Sequence, residues 1–257
     1  ITGGAFPSVV SNPTSGSGTA NACFISNGSI GVCGSTGGSL FFPTTQQWTT
    51  ASSGTSHSTP ALAGFGALIR QDFINRALTP ASPAMTKAVI LTSASHMNGV
   101  GANDNLFSNN QGMGRVNMNN YFDVMTGPKL LRDQDAGDMF TASGQTRTWS
   151  GSVVSAAQPL RITLAWTDAP GPTSGNAYVN NLDLEVTVNG NLYRGNVFTL
   201  GNSVTGGTAD TRNNVESVIL PAGTTGTVQI VVRATNIAGD GVPGLGGALD
   251  QDFALIA

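Results

Sequence analysis

The spacing of apolar residues changes period along the chain. Between Pro60 and Leu78 they fall at Ala61, Leu62, Phe65, Leu68, Ile69, Phe73 and Leu78, with Arg70, Asp72, Asn75 and Arg76 between them. Steps of three and four predict one buried helix, with Pro60 in its first turn, where a missing N–H costs no hydrogen bond. Gly64, Gly66 and Ala67 weaken an isolated helix but allow close approach, so a central position is expected. A second helix is predicted over 82–93, capped by Ser82 with Pro83 at its first position, and Met85, Ala88, Val89 and Thr92 share one face. From about residue 145 the period becomes two. Leu160–Trp166, Leu182–Val188, Val215–Leu220 and Val228–Val232 alternate and predict strands. Separated by Gly, Asn and Pro turns, with no helical pattern between them, they describe an antiparallel sandwich or barrel of jelly-roll-like kind. Residues 1–53 are rich in Gly, Ser, Thr and Asn and read as loops with an occasional strand. The chain thus divides near Thr126-Gly127-Pro128 into an α/β part, 1–127, and an all-β part, 128–257.

Charge narrows the range of functions. Only 10% of the 257 residues are charged and the net charge is −3, against roughly 25% charged residues in an average domain. With no block of like charges, neither nucleic acid nor an anionic membrane is an expected partner. A hydrophobic share of 39% is that of a packed protein. No opening charged segment and apolar run marks a leader, so Ile1 reads as the start of a processed chain or a fragment. Cys23 and Cys33 flank a loop carrying the turn-forming pair Asn27-Gly28. A disulfide is the first reading, two buried thiols the alternative. A bridge implies an oxidising compartment, and with the Lys-poor composition this gives a secreted, extracellular protein as the expectation. The first charged side chain of any kind is Arg70.

Candidate chemistry lies where the Gly-led segment Ser53-Gly54-Thr55-Ser56-His57-Ser58-Thr59-Pro60 runs into the first helix. A serine at a helix N-terminus has a backbone N–H without an intrahelical partner, and the positive end of the dipole favours an oxyanion, which suits a nucleophile in acyl transfer. Ser is also a common N-cap, and both readings stand on these residues alone.

Gly54-Thr55-Ser56-x-Ser58-Thr59-Pro60, followed by Ala63-Gly64, resembles the nucleophile signature of subtilisin-like serine proteases. Ala88–Ala94 and Asn110-Gln-Gly-Met-Gly-Arg-Val116 resemble the last helix and closing turn of that catalytic domain. Trp166–Pro170, Val179–Leu184, Gly195-Asn196 and Arg212–Glu216 resemble the C-terminal β-barrel of alkaline subtilases. The resemblance implies an incomplete subtilisin-like catalytic domain with its central helix, followed by the β domain. It makes Ser56 the catalytic serine, its own N–H one oxyanion donor. The family order is Asp, His, Ser, and no acidic residue precedes Asp72. The resemblance therefore places the triad Asp and His, and the oxyanion Asn, on a preceding N-terminal segment. His57 stands at the family's Met position beside Ser56, where adjacent helical side chains diverge, so it is expected to shape the pocket. His96 reads as a surface residue.

Calcium is the implied cofactor, structural rather than catalytic. Asp168, Asp183, Asn196 and Asp210 are the candidate ligands, all in the β part, where oxygen donors suit a hard cation. Turn chemistry explains the same Asp and Asn residues equally well from sequence. Val197 stands where the family carries an acidic residue, so at least one family site is expected to be missing.

Two functions follow. In the first, the chain supplies the nucleophile of a secreted serine endopeptidase acting on polypeptide substrates. In the second, it is a non-catalytic fragment whose β part stabilises a partner or binds substrate.

Overall fold

The computed structural model describes the backbone of residues 8–11, 22–24, 30–32 and 49–52. It also describes residues 55–127, 129–247 and 249–257, with side chains except that of His57. The chain folds as two compact units, Thr2–Gly64 and Phe65–Ala257.

In the first unit β1 (Ser8–Ser11) pairs antiparallel with β4 (Thr49–Ser52), and β2 (Ala22–Phe24) with β3 (Ile30–Val32). The connection carrying Asn27-Gly28 lies outside the described residues. Cys23 stands opposite Gly31. Cys33, and with it the expected disulfide, lies outside the described residues.

Helix α1 (Thr55–Asn75) starts at Thr55, not at Pro60, so the proline is inside the helix rather than at its first position. Pro60 has no N–H to offer the carbonyl of Ser56, four residues back. The Ser56 carbonyl therefore has no i+4 donor in the helix, while the Thr59 hydroxyl donates to the Thr55 carbonyl at 2.9 Å. Phe65, Ile69 and Phe73 are buried along one face, whereas Leu68 and Ile74 are exposed. The described helix therefore buries a stripe, not its whole circumference.

In the second unit α2 (Pro83–Ser93) has the predicted limits and the predicted buried face. Its cap has a further link: Ser82 Oγ accepts from Met85 N at 3.0 Å and donates to Asp133 at 2.5 Å, tying the helix start to β5 (Leu131–Asp133). Helix α3 (Met118–Thr126) begins at Asn117, whose side chain accepts from Asn119 N and Asn120 N. It packs against α1, with Phe65 and Tyr121 edge to face at 6.0 Å. The Tyr121 hydroxyl and Arg76 Nε both donate to Asp72 Oδ2 at 2.6 Å. Burial works against the Asp72 charge, but these two donors outweigh it and hold the carboxyl below its ordinary range.

The remaining strands are β6 (Thr146–Ser152), β7 (Leu160–Ala165), β8 (Asn181–Val188), β9 (Asn191–Thr199), β10 (Asn202–Thr205), β11 (Val215–Leu220), β12 (Thr227–Asn236) and β13 (Ala254–Ile256). They form two antiparallel sheets, ordered β10-β9-β8-β12-β6 and β11-β7-β13-β5. Each sheet keeps two open edges, so the described residues form a sandwich and not a closed barrel. The alternation explains the core: Leu182, Leu184, Val186 and Val188 of β8 and Val228, Ile230, Val232 and Ala234 of β12 face Ile162 and Leu164 of β7. Helix α2 lies on β7 and β13. Helices α2 and α3 and both sheets of the sandwich fall within the unit Phe65–Ala257. Among the described residues no helix is long and apolar enough to cross a membrane.

Candidate active site and acidic clusters

Ser56 is the second residue of the 21-residue helix α1, and it is exposed. Its N–H belongs to the first turn, where helical donors have no partner within the helix. A reactive oxygen here has an anion-stabilising donor on its own residue. Helix position and exposure are the two properties that separate a nucleophile from a buried structural serine. The side chain of His57 lies outside the described residues.

His96, expected at the surface, is half-buried. Its Nε2 is 2.7 Å from the Asp104 carbonyl oxygen, which can only accept, so Nε2 carries the proton. The loop holding it is pinned by a residue that composition did not single out. Gln111 is fully buried, and its amide joins Met97 and Ala102 to the Asp104 carboxylate. Hydrogen bonds from Gln111, Ser108 and Asn110 bring the half-buried Asp104 carboxyl down to about 2. Gly114 closes this loop at φ +102°, where a Cβ would collide with the Ser95 carbonyl, and Ser95 and Arg115 exchange backbone hydrogen bonds at 2.8 Å.

The four calcium candidates do not gather into one set. Asp168 accepts from the N–H groups of Ala169, Val179 and Asn180, each at 2.8 Å, and thereby clamps the loop between β7 and β8. Its role is the turn chemistry open at the sequence level. Asp183 accepts from Asn181 Nδ2 and the Thr235 hydroxyl. Asn196 and Asp210 do come together: Asn196 Nδ2 donates to Asp210 at 2.8 Å, and Asp210 also accepts from Arg212 N, Asn213 N and Asn213 Nδ2. Burial opposes the Asp210 charge, yet these donors hold its carboxyl below the ordinary range.

Between them lies Glu216, which sequence reasoning did not pick as a ligand. It is 1% exposed. Its Oε2 accepts from Leu184 N at 2.7 Å, beside Gly195, where any Cβ would strike the carboxylate. Its Oε1 is buried without a hydrogen-bond partner. Burial, followed by the charges of Asp183, Asp210 and Glu185 against one lowering bond from Leu184, pushes this carboxyl up to about 9. The orphaned oxygen is the one feature of the cluster that fits a cation. Among the described residues no three His, Cys, Asp or Glu side chains converge as a ligand set.

Residues 9–114 match the model of the subtilase family. That stretch includes Ser56, α2 and the Gly112-Met113-Gly114 turn, and it is this part of the chain that is similar to the subtilase family. The match stops before α3 and both sheets of the sandwich. No curated protein matches the chain.

Proposed function

We propose that this chain is the nucleophile-bearing part of a secreted serine endopeptidase. The observation that carries the reading is Ser56 itself, exposed in the first turn of α1 within a Gly-Thr-Ser motif and inside the subtilase match. Its Oγ attacks the scissile carbonyl while an upstream His takes the proton and an upstream Asp orients that ring. The Ser56 N–H and an upstream Asn receive the oxyanion. The proton then passes to the leaving amine, and water releases the acyl group. Two observations support an N-terminal segment as partner. No acidic residue precedes Asp72. Leu68 and Ile74 of α1 and Phe122 of α3 leave apolar surface exposed, which a packing partner would cover.

A fluorophosphonate tests this. In a preparation containing the N-terminal segment, mass spectrometry should find one adduct per chain, on Ser56. Absence of an adduct there overturns the proposal and leaves the non-catalytic alternative, a β module that stabilises a partner or binds substrate. Secretion goes with the proposed Cys23–Cys33 bridge, since disulfides persist in oxidising compartments. Alkylation of both thiols without reduction counts against it.

The reading extends to one structural calcium ion near Glu216, with Asp183, Asp210 and the Asn196 side chain as further oxygen donors and Asp168 excluded. Binding would exchange the amide donors now on Asp183 and Asp210 for the ion and give Glu216 Oε1 a partner. Chelation should then lower the Tm by about 5 °C or more, reversed by added calcium. An unchanged Tm refutes the site.

A further inference from the structure

Among the described residues, the edge strand β6 differs from the other sheet edges in what it leaves open. β5 is three residues long and charged, with Arg132 and Asp133, and β10 is broken by a register shift between Ser203 and Thr205. β11 at the remaining edge is packed against β9 and β10. β6 runs seven residues in unbroken register with β12 and carries a single charge, Arg147. That guanidinium lies over the Phe140 ring at 4.9 Å and does not guard the edge. Val153 N bonds to Gly226 O and Ala234 N to Gln145 O, both at 2.9 Å, so the odd positions of β6 bond to β12. The even positions, Thr148, Ser150 and Ser152, therefore turn their N–H and C=O groups away from the sheet. Natural edges of this length are usually blocked by charge, proline or a bulge.

Behind the edge lies a groove of about 710 Å³, walled by Trp149, Val153, Leu130, Leu160, Ile162 and Val228. Gly151 occupies an inward position between Trp149 and Val153, and a Cβ there would meet nothing within 4 Å. The strand thus has a notch where its inner face would otherwise carry a side chain. The charges on the groove are unbalanced. Lys129 donates only to the Met125 and Gly127 carbonyls, and Arg161 only to those of Thr92 and Ala94. Among the described lining residues Asp123 carries the one acidic side chain.

We propose that β6 binds an extended apolar polypeptide segment with acidic flanks as an added strand, its alternate side chains entering the groove through the Gly151 notch. A row of outward N–H and C=O groups at strand spacing is matched by another backbone and by no lipid or compact small molecule. The proposal goes beyond the protease reading and does not need Ser56 to be reactive.

The test uses the full chain carrying Ser56→Ala, so that the probe stays intact whatever its catalytic status. The probe is a fluorescent seven-residue peptide of alternating Val and Thr with Asp flanks, titrated by anisotropy. It should bind. Methylating its backbone nitrogens on the pairing side, or introducing Gly151→Val, should each weaken binding about tenfold, the first by removing ladder donors and the second by filling the notch. Val suits an edge strand, so the variant should keep the parent Tm, and the methylated peptide tests the idea without any change to the protein. No binding, binding indifferent to both changes, or a dimer that already occupies the edge would each overturn it.

Discussion

On the proposed reading, Ser56→Ala in a preparation that also contains the proposed N-terminal segment should lower kcat by about 10⁶-fold and leave KM nearly unchanged, as removal of the serine does in a subtilisin-type triad. Without Oγ there is no acyl-enzyme, and the His–Asp pair has no proton to move. What survives is the hydrolysis that water can perform in a site still furnished with oxyanion donors, since the Ser56 N–H belongs to the backbone and is retained. The contrast that makes the result specific is Thr59→Ala. It removes only the hydroxyl that donates to the Thr55 carbonyl in the same first turn, and it should cost less than about tenfold in kcat. Initial rates on a peptide substrate, with active sites counted by titration, decide the matter. Residual activity of the Ser56 variant within tenfold of the parent would remove this serine from the chemistry.

Why Ser56 was legible and the acidic residues were not is a question of where each side chain's partners come from. The helix start that holds Ser56 is marked in contiguous sequence, by Gly54-Thr55-Ser56 and the apolar spacing that follows it. Helix α2 was legible for the same reason, because Ser82, Pro83 and the face of Met85, Ala88, Val89 and Thr92 are all local. Strands β7, β8, β11 and β12 were legible from alternating apolar residues, although only β12 keeps an exposed face and β7, β8 and β11 are largely buried on both. β9 was not, because Gly195 and Asn196 interrupt its pattern to admit the Glu216 carboxylate, a partner from another strand. The start of α1 was misplaced because proline marks a helix beginning only by statistics, and here it stands at the sixth helical position. α3 offered its signal, Asn117 ahead of Tyr121 and Met125 at helical spacing, but it is only 9 residues long. As for Asp168, a carboxylate that will be satisfied by three backbone N–H groups looks in sequence the same as one awaiting a cation. Only the chain path of residues 168–180 separates them.

That path also locates the residue whose loss should most disturb the fold. Asn180→Ala should destabilise the protein by about 4 kcal/mol, lowering Tm by about 10 °C. Asn180 is 3% exposed and its amide makes five hydrogen bonds. Nδ2 donates to the carbonyls of Gly239 and Asp250 and to Gln251 Oε1; Oδ1 accepts from Ala238 N and Gly239 N. Gln251 in turn donates to the Thr167 and Asp252 carbonyls. One amide therefore joins the loop held by Asp168 to the segment after β12 and to the approach to β13. Truncation strands the two N–H groups and leaves three acceptors short of a donor where water has little access, and such losses outweigh the average value of a hydrogen bond. Asn180→Asp should do no better, because a carboxylate cannot donate to Gly239 and Asp250 and would carry a buried charge. Asn236→Ala is the matched control: exposed, with a single bond to the Val179 carbonyl at 2.9 Å, it should cost no more than about 1 kcal/mol. Urea unfolding of the three variants measures the difference. If Asn180→Ala and Asn236→Ala prove equally mild, the sandwich ends are held by strand packing alone and the buried amide network is incidental to them.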